Sequence, residues 1–486
     1  MSLTSALNSV QSIFNNTGQQ SSVVSTNIAN VGNSDYVRRE ASITTSLSGA
    51  QVVSISRAQE TALLAQYLQS NAKDSAQQTL VTGLESLQSL MGGNDYETSP
   101  STYLSAFQQA LQTFATSPSS TTSAQSAVTA AQDLANSLNT ASDGVQSIRA
   151  DADAEIATQV SSLNTLLSQF ETANNAVKAA TATGADTSSA LDEREKLLKQ
   201  ISSIVGVTTA VRNNNDMALY TSDGTVLFET IPRTVTYVPT TTYVAGTEGN
   251  SVYIDGVALD AGEGSTTSAS GSLQALLQLR DEIAPTFQAQ LDEIAKSLVQ
   301  AFSETDGSTS APGLFVWKTA AGATGGTPSD SDDITGIASS ISVNLAVVTS
   351  EGGDATKLRD GTISGITDLN SSGDSGFSDN LDALYTALTE QRSFSSDAGL
   401  STSQSLMDYA SSSIGWLEQY RSDATAASEN TSAALSRSDE AYSNEAGVNL
   451  DEELTLLLDI EQSYKAATKI LNVIDEMFKS LLDIAS

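Results

Sequence analysis

Each end of this chain carries an apolar seam with no partner in the sequence beside it. At the N-terminus Leu3, Leu7, Val10, Phe14, Thr17, Ser21, Val24, Ile28 and Val31 follow one another in steps of three and four, the repeat of one helical face. At about 1.5 Å per residue such a helix runs roughly 45 Å. It stops near Val31-Gly32-Asn33, where Gly and Asn suit a helix C-terminus. At the other end Leu450, Leu454, Leu457, Ile460, Tyr464, Ala467, Leu471, Ile474, Phe478 and Leu481 repeat the pattern. Asn449 is placed to cap that helix, with Glu452 at capping-box spacing. Asp451, Glu452 and Glu453 set negative charge on the positive end of its dipole. Stripes of this length left in water are exposed apolar patches, so they cover each other or are covered by other subunits. Periodicity alone leaves open whether they simply pack inside a globular protein.

The residues between the seams exclude most chemistry. There is no Cys and no His in 486 residues, which removes thiol nucleophiles, imidazole bases, Ser-His-Asp triads and nearly every zinc site. The formal charge of -35 disfavours nucleic acid and anionic lipid as partners. No stretch reaches the length of about 18 apolar residues that a transmembrane helix needs, so no membrane insertion is expected. The opening residues lack the charged and apolar regions of a Sec-type signal peptide. With 39% hydrophobic but only 5% aromatic residues, the composition favours slim helices over bulky cores.

From Ser56 to Gln200 the pattern is helical, broken at Gly92-Gly93-Asn94 and Ser117-Pro118. Residues 124 to 180 read as one or two long helices. Between Gly206 and Gly264 the period changes to two, with turns at Ser222-Asp223-Gly224 and Asp255-Gly256. Leu273 to Phe302 returns to helix, and so does Leu381 to Asn444. Gly307 to Gly376 is rich in Gly, Ser, Thr and Asp, with short strands expected at Leu314 to Trp317 and Ile341 to Val348.

Three chemical patterns fail on inspection. Ser70-x-x-Lys73 and Ser378-Asp379-Asn380 match two motifs of serine acyl-transferases, but Lys318-Thr319-Ala320 misses the third and precedes the second. Asp330-Ser331-Asp332-Asp333 lacks the glycine register of an EF-hand. Glu452 and Glu453 are adjacent on a helix, pointing about 100° apart, which does not suit paired-carboxylate hydrolysis. The chain reads as no enzyme, with no cofactor and no metal.

Ser25-Thr26-Asn27-Ile28-Ala29-Asn30-Val31-Gly32-Asn33-Ser34-Asp35-Tyr36-Val37-Arg38 resembles the Asn-Ile-Ala-Asn signature of flagellar axial proteins, with Asp35 where many members have Gly. Gly447 to Glu453, followed by Tyr464, Met477-Phe478 and Leu481-Leu482, is similar to the C-terminal helix of the hook-associated branch of that family. Leu191 to Leu198 with Ile201 and Ile204-Val205-Gly206-Val207, and Ser270 through Arg280, resemble its passages into and out of a β domain.

The resemblance implies a mainly α, elongated, rod-like multi-domain subunit with inserted β structure. Its terminal helices pair in a coiled-coil domain, 1–45 with 448–486. A long helical bundle takes 46–205 with 270–310 and 377–447, a small β domain takes 206–269, and 311–376 forms an irregular region. Leu3, Leu7, Val10, Phe14, Val24, Ile28, Leu450, Leu454, Leu457, Tyr464, Leu471, Ile474, Phe478 and Leu481 become the candidate polymerisation interface. Asn27, Ile28, Ala29, Asn30, Tyr36, Asn449 and Glu452 carry the family motif. The implied role is a secreted joint between flagellar hook and filament, exported by the type III route. The implied partners are the hook protein, a second junction protein, further copies of the chain and an export chaperone on the C-terminal helix. A hook or rod subunit is the alternative within the class, and a secreted coiled-coil adhesin or effector the alternative outside it.

Overall fold

The computed structural model describes residues 3–45, 51–58, 60–332 and 334–485. The N-terminal seam forms α1 (Leu3–Ala29), which ends in a turn where Gly32 takes a φ of +81°. An antiparallel hairpin follows, β1 (Arg39–Thr45) and β2 (Gln51–Arg57). Then come α2 (Thr61–Leu90), α3 (Pro100–Thr116), α4 (Thr121–Thr183) and α5 (Ser188–Ile204). The breaks at Gly92 and Pro118 fall between helices, and the stretch from 124 to 180 is one uninterrupted helix. Ser99 caps α3 by accepting from the Thr102 N–H, with Pro100 at the first helical position, where a missing N–H is harmless.

Strands β3 (Val207–Val211), β4 (Met217–Thr221) and β5 (Val226–Phe228) form an antiparallel meander. Strands β6 (Val235–Thr236), β7 (Tyr253–Ile254) and β8 (Val257–Ala258) form a second three-stranded sheet. The single β domain expected over 206–269 is therefore two separate sheets. After β5 the chain turns back, with Pro232 bridged to Phe228 and the Arg233 N–H donating to the Leu227 carbonyl.

Helices α6 (Ser272–Gln278) and α7 (Ala284–Ala301) are joined by a π-helical turn, Leu279–Ile283. The irregular region holds β9 (Ser303–Thr305) paired with β10 (Ser310–Pro312), and β11 (Phe315–Val316) paired with β12 (Ser342–Val343). The last pair falls where short strands were expected. Helices α8 (Lys357–Asp360) and α9 (Asp379–Ala387) follow. The helix expected over 381–444 is interrupted: β13 (Gln391–Ser393) and β14 (Ser403–Ser405) form a hairpin before α10 (Leu406–Ala446). The Ser, Asp and Gly residues between them, with Gly399 at positive φ, are turn formers that stop a helix. Helix α11 (Leu450–Ala485) completes the chain.

The chain folds as two units. One takes residues 1–74, 162–235 and 430–486; the other takes 75–161 and 236–429. In the first, Phe170 of α4 meets Phe228 of β5 edge to face, ring centroids 5.1 Å apart. Fully buried Asn174 docks the sheet: its amide donates to Asp216 at 2.7 Å, and its carbonyl accepts from Arg194 and from the Met217 N–H. In the second, Phe107, Phe302 and Phe315 form an aromatic cluster with centroids 5.3 to 5.8 Å apart. A Cβ on Gly144 would fall on the Leu90 side chain, so the one glycine inside α4 permits close approach of α2. Arg280, in the π-helical turn, is buried in hydrogen bonds to Asp153, Asp281, the Tyr237 hydroxyl and the Asn250 carbonyl.

Candidate assembly surface on the terminal helices

The two apolar seams find each other. Helix α11 packs antiparallel on α1, with Asn27 against Glu453 at one point and Phe14 against Tyr464 at another. On α1 the buried positions Val10, Thr17 and Val24 recur every seven residues; on α11 Glu453, Ile460, Ala467 and Ile474 do the same. A seven-residue repeat on both helices is the spacing of coiled-coil packing. Leu457 and Leu471 are half-buried beside that stripe. The rings of Phe14 and Tyr464 meet edge to face at 5.0 Å.

At the mouth of the pair sits a polar clasp built from the sequence motif. Asn27 is 1% exposed and all four of its side-chain positions are used. Its amide donates to the Arg39 carbonyl at 2.9 Å and to Glu453 Oε1 at 3.0 Å. Its carbonyl accepts from the Tyr36 hydroxyl at 2.7 Å and the Arg39 N–H at 3.1 Å. Asn30 serves the turn: its amide donates to the Thr26 carbonyl and its oxygen accepts from Asn33. Ile28 is half-buried on α1, and Ala29 is exposed. Arg38 joins the three chain passes here, donating its N–H to the Ala446 carbonyl and accepting from the Ala58 N–H.

Asn449 caps α11 as expected, accepting from the backbone N–H groups of Asp451 and Glu452. Glu452 itself lies 3.7 Å from Arg38. The acid that matters to the clasp is its neighbour Glu453, 2% exposed, whose Oε2 has no hydrogen-bond partner. Burial pushes the Glu453 carboxyl above its ordinary range, while the Asn27 hydrogen bond and the charge of Arg38 pull the other way.

Below the clasp, an ion cluster ties the β1–β2 hairpin to α5 and α10. Arg57 donates to Asp192 at 2.7 Å and to Glu195 at 2.5 Å; Arg39 reaches Asp192 at 3.5 Å. The Tyr442 hydroxyl donates to Glu195. Lys199 lies over the rings of both Tyr67 and Tyr442, 5.3 and 5.2 Å from their centroids. Burial raises the Asp192 carboxyl, against the pull of Arg57. The Tyr442 phenol is pushed well up, by burial first and then by Glu195.

Pairing with α1 leaves much of the predicted seam uncovered. Val10, Val24 and Ile474 are buried, whereas Leu7, Leu450, Leu454, Tyr464, Phe478 and Leu481 are exposed; the side chain of Leu3 lies outside the described residues. Leu456, Leu458, Ile470, Val473, Met477 and Leu482 are exposed as well. Their signal was present as apolar residues flanking the main stripe, which a single-seam reading passes over. Phe478, Leu481 and Leu482 continue the buried face beyond the turns that the described part of α1 can cover in this register. Helix α11 thus has one apolar side closed by α1 and another open to solvent. Among the described residues no cluster of acidic side chains is arranged to hold a metal ion, and no described helix is long and apolar enough to cross a membrane. Ser70 Oγ lies 3.0 Å from Ser438 Oγ.

The chain is similar to known proteins along most of its length. Residues 84–308 match the family profile described as the flagellar hook-associated protein FlgK helical domain. Residues 440–484, which contain all but the last residues of α11, match the flagellar basal body rod FlgEFG protein C-terminal profile. Flagellar hook-associated protein 1 of Bacillus subtilis (strain 168) is 22% identical over 461 residues, 90% of this chain and 86% of that protein. The solved flagellar hook junction protein FlgK from Burkholderia pseudomallei is similar at 22% identity and a TM-score of 0.41, over 52% of this chain and 46% of that one. With its central helices matching one profile, its last helix another, and a relative aligned nearly end to end, the chain is similar to flagellar hook-associated axial proteins of the FlgK type.

Proposed function

We propose that this protein is a structural joint between flagellar hook and filament, held in place through its terminal helices. The observation that carries the reading is the set of apolar side chains on α11 that pairing with α1 leaves uncovered, Leu454, Leu458, Val473 and Leu482 among them. Apolar exposure of that extent marks an interaction surface, and the partners that suit it are apolar helices of neighbouring subunits. Those neighbours are further copies of the chain, the hook protein on one side and a second junction protein on the other. Before assembly the same face needs cover, which suits an export chaperone on α11 and passage through the flagellar type III apparatus. The role is assembly rather than catalysis, in keeping with a sequence that has neither Cys nor His.

Deleting the gene is expected to abolish filaments while hooks remain. Loss of hooks as well would favour a hook or rod subunit, the reading to which the rod-type profile on the last helix also points. Leu454→Asp places a charge on the open face without touching the buried stripe. It is expected to leave the monomer folded and block its incorporation; normal filaments in that variant would refute the assembly reading.

A further inference from the structure

Helix α7 turns a polar face into a cavity of about 500 Å³, walled by the 246–249 loop, the π-helical turn, Ile334-Thr335 and the loop at 395–397. That is the size of a small-molecule site, and it lies wholly within the unit of residues 75–161 and 236–429. We propose that it binds a basic α-amino acid such as lysine, with the carboxylate on Arg149, the α-ammonium on Asp292 and the side-chain cation at the acidic rim. The site is separate from the terminal helices and independent of the assembly role.

The walls are fixed by the chain itself. A Cβ on Gly249 would fall on the Arg280 guanidinium, so glycine lets the 246–249 loop close on the buried π-helical turn. Arg149 of α4 holds the same two pieces, donating to the Thr247 and Arg280 carbonyls. Asp292 fixes another wall by accepting from the Gly336 and Ala338 N–H groups. A π-helical turn is itself a frequent mark of a functional site.

Charge names the occupant. Among the lining groups Asp281 is bonded to Arg280 and Glu293 to Lys296, so these pairs cancel. Arg149, 3% exposed, is left without an anion. Its bonds go to two carbonyls and the Gln146 side chain, with the Tyr243 ring 4.7 Å away, which leaves two of the five N–H groups of a guanidinium unspent. Asp292, 7% exposed, is left without a cation, since its partners are two backbone N–H groups and the Gln288 amide. Burial holds the Arg149 guanidinium below its ordinary range and pushes the Asp292 carboxyl up to about 6, the response of buried charges that lack a counter-ion. A buried cation and a buried anion that line one cavity without pairing match a ligand that carries both charges. Glu248 and Asp397, exposed at the rim, add the preference for a third, positive group.

Calorimetric titration of the full-length chain separates this site from plain attraction to an acidic surface. Lysine is expected to bind saturably and at least about tenfold tighter than cadaverine, which is lysine without its carboxylate. Cadaverine binding as tightly as lysine, or no saturable binding of lysine, overturns the proposal. Arg149→Gln is expected to bring lysine down to the level of cadaverine, and unchanged affinity there overturns it too. Because Arg149 also braces the 246–249 loop, Ala289→Trp serves as a second variant, filling the cavity from its lining without touching a charge. It is expected to keep the circular dichroism of the parent and to bind lysine at least about tenfold more weakly; undiminished binding refutes the site. On the parent chain, saturating lysine is expected to lower the NMR titration midpoint of the Asp292 carboxyl, because a neighbouring ammonium favours the carboxylate. A midpoint that stays in place removes Asp292 from the site and the proposal with it.

Discussion

Asn27 uses both amide hydrogens and both carbonyl lone pairs on four different groups, so no other side chain of its size replaces it. Asn27→Ala strands the Tyr36 hydroxyl, the Arg39 backbone and Glu453 together. The expected loss is roughly 2–4 kcal/mol in the terminal pair, read by urea unfolding followed through α1 and α11. Glu453 gives the clasp a pH dependence whose sign can be worked out. Its folded pKa lies above the ordinary 4.5 because of burial, and Oε2 is unpartnered. The folded state therefore holds this proton more tightly than the unfolded chain. Its stabilising contribution is fully present below 4.5 and is lost as pH rises through the elevated value. Protease resistance at 447–449 is expected to rise on mild acidification, and Glu453→Gln is expected to remove that component. The Asp292 carboxyl, in the other unit, is pushed up to about 6, by burial first, even though it accepts from the Gly336 and Ala338 N–H groups. An NMR titration of that carboxyl is expected to show a midpoint near 6.

At the scale of elements, the β1–β2 hairpin shows how a marginal piece is held. A two-stranded ribbon alone is barely stable in water, and this one is fixed at its base by Arg57 between Asp192 and Glu195. Arg57→Met removes the shortest cation contact of buried Glu195 and half-buried Asp192, leaving them Lys199 at 3.7 Å and Arg39 at 3.5 Å, a loss of about 3 kcal/mol. Hydrogen exchange of the hairpin amides is expected to accelerate accordingly. None of this was legible from spacing, because Arg57 and Glu195 stand far apart in sequence and only tertiary packing joins them. The helices themselves were legible: the seams give α1 and α11, and the Gly and Pro breaks give the ends of α2 and α3. What periodicity does not carry is register. Which of Asp451, Glu452 and Glu453 turns inward depends on how α11 meets α1; spacing gave Glu452 a place in the capping box and the family motif and did not say which acid is buried, and the structure buries Glu453. In the same way, the two-residue period over 206–269 announced strands without saying that they divide between two sheets.

Across the whole molecule, one unit is assembled from three separated stretches of chain and the other from two. A chain ended after Gly447 loses α11 alone, so the unit of residues 75–161 and 236–429 is expected to keep its thermal transition while α1 loses its helical signal. Melting together of both units in that truncation would show that the terminal pair supports more than itself. The antiparallel pairing of α1 with α11 also joins the first element of the chain to the last. Until α11 is in place, α1 lacks the Glu453 carboxylate that completes the clasp at Asn27. A copy interrupted anywhere upstream of Leu450 cannot complete the clasp, so on the assembly role proposed above the order of elements would admit only finished chains.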